Sequence, residues 1–362
     1  MKLKHAWDTA KTADKTNGAP DVELKTHLKA TQQEHLPQAD LLQGCFEMLR
    51  DKGLLEEAYL RGSIGRGHAD HHSDIDLFTV VDPSKLPQVY EAVSEFLASK
   101  GRVVTVCHDR LVENYGGIGF MFIAQSAEHD NMTYQFDLYM AMKGQPPTKP
   151  TSIKPRIFST DPDYKWTEQY GQKPAELPQV AKDFIKEHTS GANLADRMEL
   201  MMQEMMINLY VTHKHIKRGQ MSRTVVDNHA IVTSAIEFLQ VLTDYRPTGY
   251  SAVYLGNEIV NFVRKHGDEE MVKAADKLEK LFTQKVTDRK LVDALDYATD
   301  VLKGVFPEKY EAQKESIRFF REEVLLNGTV PKHLKRSFGV PANDSAHAAS
   351  AAAPKKQKPP RP

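Results

Sequence analysis

The densest run of chemically capable side chains is Arg61-Gly62-Ser63-Ile64-Gly65-Arg66-Gly67-His68-Ala69-Asp70-His71-His72-Ser73-Asp74-Ile75-Asp76-Leu77. Its last residues lead into Phe78-Thr79-Val80-Val81, a strand composition, and alternate side chains of a strand share a face. Asp74 and Asp76 then point one way while Ile75 and Leu77 point to the core. Two carboxylates in one small space repel each other, and a hard divalent cation such as Mg²⁺ relieves that repulsion while keeping water and phosphate oxygens as further ligands. Upstream, Gly62-Ser63 removes a side chain where backbone must approach a ligand and offers an N–H and a hydroxyl to phosphate oxygen. Arg66 adds a planar, permanent cation, and Ser73 a second hydroxyl beside the acids. A third carboxylate lies in Tyr134-Gln135-Phe136-Asp137-Leu138-Tyr139-Met140, where four apolar residues form one face and Asp137 projects from the other. Such a set suits cation-assisted handling of a phosphorylated ligand.

Each piece has a plainer reading alone. An Asp-x-Asp on a strand is often a solvated face, and Arg66 can serve as a surface ion pair with Asp70. His68, His71 and His72 sit in a loop without a supporting cysteine, so they are read as solvated and not as a zinc site.

The elements that must position these residues follow from periodicity. Two helical patterns between Asp21 and Lys52 precede a strand at 57–61; a second strand is expected at 75–81, a helix at 84–100, and further strands at 102–107, 118–124 and 132–140. Residues 143–155 are rich in Pro and Gly and read as a linker. From about Leu177 the pattern is helical, with helices expected at 178–188, 192–217, 222–243, 252–265, 268–284, 288–305 and 308–326. The division expected is therefore a loose arm (1–20), an α+β domain with a mixed sheet and flanking helices (21–145), a linker (146–176), a helical bundle (177–338) and a basic Ala/Pro/Lys tail (339–362).

Composition supports this division. The 362 residues are 40% hydrophobic and 27% charged, and 48 Lys+Arg nearly cancel 49 Asp+Glu for a formal net charge of −1. No global positive field draws the chain to nucleic acid or an anionic membrane. The two cysteines, Cys45 and Cys107, are too few for a disulfide framework, and there is neither a membrane-length apolar stretch nor a secretory signal, which together predict a cytoplasmic protein. The Lys-containing tail lacks aromatic residues and is read as solubilising.

Gly62-Ser63, ten residues, then Asp74-Ile75-Asp76, with a later strand Asp137, resembles the polymerase-β-like nucleotidyltransferase superfamily. Within it, the spacing is similar to the aminoglycoside and lincosamide nucleotidyltransferases; Arg156-Ile157-Phe158-Ser159 is similar to a stretch that follows the third acid there, with Phe-Ser in place of the usual pair. The resemblance implies transfer of a nucleoside monophosphate, AMP from ATP, to a hydroxyl with release of pyrophosphate, assisted by two Mg²⁺ ions. Asp74 and Asp76 would hold both ions and Asp137 one; Gly62, Ser63, Arg66 and Ser73 would hold the triphosphate. Asp137 is also placed to help deprotonate the acceptor.

In the helix at 192–217 Met198, Met201, Met202, Met205 and Leu209 fall on one apolar face, read as core filling. A helical-domain carboxylate beside the interdomain cleft is a candidate general base, Glu204 first and Glu199 second, against an Arg197–Glu204 ion pair. Lys214, Lys217 and Arg218 close the helix, where cations suit its dipole, and Lys217 is the one expected to reach the triphosphate. The expected acceptor is a small antibiotic-like molecule, with a homodimer as one possible assembly. The alternatives are a nucleotide or protein acceptor, or a catalytically silent nucleotide-binding regulator.

Overall fold

The computed structural model describes residues 22–113, 116–144, 155–161, 176–189, 193–243 and 252–327. Alternating and continuous apolar runs become strands β1 (Glu57–Leu60), β2 (Ile75–Val81), β3 (Gly101–His108), β4 (Gly117–Ser126), β5 (Met132–Met142) and β6 (Arg156–Ser159). They form one six-stranded sheet in the order β3-β4-β5-β2-β1-β6. β2 and β5 run parallel and the other neighbours antiparallel. Asp130 and Asn131, at φ 52° and 59°, turn the chain between β4 and β5, as short polar side chains can in the left-handed region.

The alternation of side chains gives the sheet two unlike faces. Ile75, Leu77, Phe120, Phe136, Leu138 and Met140 meet helices α1 (Leu24–Ala30), α2 (Pro37–Asp51) and α3 (Leu86–Lys100) in one core. Helix α4 (Gln179–Thr189) adds Ala181 and Phe184 to that same core, and Phe184 packs edge-on to Tyr90 and Phe120. The opposite face carries the acids. One end of it, with Val104 and Ile123, is packed against the helical region, and the other is the apolar patch Tyr59, Phe78, Val80, Val112, Tyr139 and Ala141.

The helical region comprises α5 (Leu194–Lys217), α6 (Met221–Thr243), α7 (Ala252–His266), α8 (Glu269–Thr283), α9 (Asp288–Val305) and α10 (Pro307–Phe319), the last continuing as a π-helical turn through Leu326. Side chains of Asn193, Asp268 and Thr287 cap α5, α8 and α9 by accepting from Asp196, Met271 and Lys290 backbone N–H groups. Met198, Met202, Met205 and Met206 are buried, as core filling requires.

Two boundaries differ from the sequence expectation. β6 lies within the expected linker 146–176, because Arg156–Ser159 pairs with β1 as an edge strand. The helix expected to open the bundle, α4, belongs to the core of the sheet domain, because Phe184 finds its aromatic partners there. The arm 1–20, the rest of the linker except Pro155, Thr160, Asp161 and Glu176, and the tail 339–362 lie outside the described residues. No helix among the described residues is long and apolar enough to cross a membrane.

Candidate active site

Parallel pairing makes Asp76 on β2 and Asp137 on β5 direct register partners, so both carboxylates rise from one face of the sheet on adjacent strands. Asp74 precedes β2 on the same side of the alternation. Between β1 and the loop to β2 the chain makes a single helical turn, Gly62–Gly65, that folds back onto Asp76. The Arg61 N–H donates to the Asp76 carbonyl at 3.2 Å, and a Cβ on Gly62 would sit 1.9 Å from Asp76 Oδ2. Gly62 also has φ +59°, so both its conformation and its contact require glycine.

A line of polar contacts crosses the acids. Lys214, at 2% exposure, donates from Nζ to Asp74 Oδ1 and to Gln135 Oε1, the latter at 2.7 Å. Gln135 Nε2 donates to both Asp137 oxygens, at 2.8 and 3.1 Å, and the Tyr139 hydroxyl donates to Oδ2 at 3.2 Å. The Arg61 guanidinium lies 4.2 Å from the Tyr139 ring centroid.

Burial opposes the ionised carboxylates despite the nearby cations. Burial, then the neighbouring Asp74 charge, pushes the Asp76 carboxyl up to about 6, against the pull of Arg61, Lys214 and Arg66. Burial, then Asp76 and Asp74, raises the proton affinity of Asp137 well above the usual carboxylate range. Hard oxygen donors with unrelieved mutual repulsion fit a hard divalent cation in chemical type. Among the described residues no three His, Cys, Asp or Glu side chains already converge as an ion cage. Asp74 is committed to Lys214, and Asp137 to Gln135 and Tyr139.

The other expected residues separate into near and far. Ser63 lies in the Gly62 turn, and exposed Arg66 acts electrostatically on Asp76. Ser73 is buried within the loop: its Oγ accepts from the Asp70 N–H at 2.8 Å and from Arg218 at 3.1 Å, and donates to Asp70 Oδ1 at 3.0 Å. Asp70 is paired with Arg218, whose Nε is 2.9 Å from Oδ2. Lys217, the expected triphosphate contact, donates to Asp288 Oδ2 at 2.8 Å, while the rotation of α5 turns Lys214 to the acids.

Glu204 stands elsewhere along the cleft. Cys107 is the register partner of Met121, and Met121 of Asp137, while the Glu204 charge is felt by Cys107 and by Glu237. Glu204 therefore lies within electrostatic reach of Cys107 on β3, two strands across the sheet from Asp137. Glu199 is ion-paired with Lys309 at 2.8 Å.

Lys214, Gln135, Tyr139, Arg61 and Arg218 were not singled out as site residues in the sequence. Gln135 and Tyr139 were within reach, since they flank Asp137 at two-residue spacing and must share its face.

A family model described as a nucleotidyltransferase domain matches residues 42–115. The matched segment contains the Gly62 turn, Asp74 and Asp76 and ends before Asp137. It supports the polymerase-β-like superfamily, a nucleotide substrate and nucleotidyl transfer as the class of activity. No curated protein matches the chain.

Proposed function

We propose that the chain transfers AMP from ATP to a hydroxyl of a small antibiotic-like molecule and releases pyrophosphate. The observation that carries this reading is the Asp76–Asp137 register pair with the Gly62 turn closed onto it. Asp74 and Asp76 would hold two Mg²⁺ ions and Asp137 one of them; the ions supply charge stabilisation for the attacking and leaving oxygens of an in-line displacement.

This chain's own residues do the rest. The backbone at Gly62 and the Ser63 hydroxyl orient the triphosphate, with Arg66 and Lys214 meeting its charge. Asp137, the register partner of Asp76, is suited to help draw the proton from the acceptor hydroxyl. Glu204, whose charge is felt at Cys107 on β3, is the helical-region candidate for general base. The near-neutral net charge favours a small acceptor over nucleic acid.

The test is pyrophosphate release from ATP and Mg²⁺ with a panel of aminoglycosides and lincosamides, with the mass of each compound recorded. One added AMP mass, and a loss of about a thousandfold in Asp74→Asn, is the expected result. Pyrophosphate or a new nucleotide product without any modified drug would move the acceptor to a nucleotide or protein. Nucleotide binding with no turnover on any acceptor would leave a binding protein.

A further inference from the structure

Lys214 lies where a cation for the acids would be needed, yet it belongs to the other half of the molecule. It comes from the last turns of α5, and 140 residues separate it from Asp74. Its ammonium is almost fully removed from solvent, and its surroundings are Asp74, the Gln135 side-chain oxygen and the Tyr210 ring, whose centroid is 4.9 Å away. It also pulls on the proton affinities of Asp76 and Asp137, so its charge is felt by all three acids.

An ion entering alone meets a specific cost here. To take Asp74 it must displace the ammonium, leaving a buried positive charge beside a newly arrived divalent one that competes with it for Asp76 and Asp137. A cation that comes with a polyphosphate avoids this, because a phosphate oxygen accepts the displaced Lys214 while the ion takes Asp74. We propose that Lys214 is a specificity-determining residue that makes this centre accept a divalent cation together with a polyphosphate and resist the bare cation. This rests on the cation-assisted reading above and goes beyond it. Lys214 ties ion and nucleotide entry into one event, and by linkage each raises the affinity of the other through the same side chain.

The alternative role for Lys214 is a latch that only joins α5 to the sheet. The two roles separate in a binding experiment on the full chain that needs no turnover. Mn²⁺ is titrated by electron paramagnetic resonance, alone and with an α,β-methylene analogue of ATP. The wild type is expected to bind Mn²⁺ weakly alone and tightly with the analogue. Lys214→Met should bind Mn²⁺ alone about tenfold more tightly, with the benefit from the analogue reduced by a similar factor. Lys214→Arg, which keeps the charge, should stay close to wild type.

Should Lys214→Met fail to fold, Lys214→Gln keeps a hydrogen-bonding side chain without the charge and carries the same expectation. Unchanged or weaker binding of bare Mn²⁺ in the folded neutral variants overturns the proposal and leaves a latch; so does a Lys214→Arg protein that behaves like Lys214→Met. Mn²⁺ binding to none of the proteins, with or without the analogue, overturns the cation-assisted reading itself and this proposal with it.

Discussion

At Gly62 two independent constraints coincide: a left-handed backbone at φ +59° and an Asp76 oxygen 1.9 Å from where a Cβ would be. Alanine there pays for the conformation and must displace the carboxylate. Gly62→Ala is expected to lose about 1–3 kcal/mol of stability in urea denaturation. Because the displaced group is Asp76, pyrophosphate release should fall about a hundredfold or more, well beyond the effect of stability. An active variant of near-normal stability would remove the turn from the site. The residue scale is also where the sequence was most informative. Strand alternation is local, so Asp74, Asp76 and Asp137 could be placed on one side from their own neighbours. Choosing Lys214 over Lys217 required the rotation of α5 against the sheet, which no local pattern specifies. The same holds for the pairing of Arg218 with Asp70.

Among the elements, α5 does most to join the two halves. Besides Lys214, it ends in Arg218, which reaches Asp70 and Ser73 of the loop leading into β2. The Arg218 side chain is 19% exposed and that of Asp70 50%, so the pair contributes no more than about 1 kcal/mol. Its role is positional, since it fixes the loop preceding Asp74. Arg218→Ala should leave the melting temperature within a few degrees of wild type and raise KM for the nucleotide about fivefold with a smaller change in kcat. A kcat loss with unchanged KM would contradict that assignment. The long periodic helices and the hydrophobic strands were legible because each carries its own repeat. β6 was not, because Arg156–Ser159 is four residues long beside Pro155 and becomes a strand only by pairing with β1. α4 was legible as a helix, but its place in the sheet core depends on contacts with Tyr90 and Phe120 that are distant in sequence.

One contribution to the pH dependence of the whole molecule comes from outside the site. His108, with its side chain 4% exposed, packs edge-on to Phe120 at 5.5 Å between ring centroids. Burial, then the Arg110 and His188 charges, lowers its proton affinity from 6.5 to about 4, although Glu113 is 3.5 Å away. Between those values the unfolded chain binds the proton and the folded one does not. The His108 contribution to stability therefore rises with pH across that window, by about 1.4 kcal/mol per unit, against the opposite contribution of the raised Asp76 carboxyl. His108→Phe should flatten that part of the curve in denaturant titrations at several pH values; an unchanged slope would place the titration elsewhere. The parallel pairing of β2 with β5 has a kinetic consequence. Thr79 Oγ1 donates to the Tyr139 carbonyl across sixty residues of chain, and Lys214 joins Asp74 across 140. Contacts of such separation bear the largest loop-closure cost and form late. A ribosome must release the chain well past Lys214 before this centre can assemble, so the nascent protein would pass through a stage with its sheet already collapsed and its chemistry still absent.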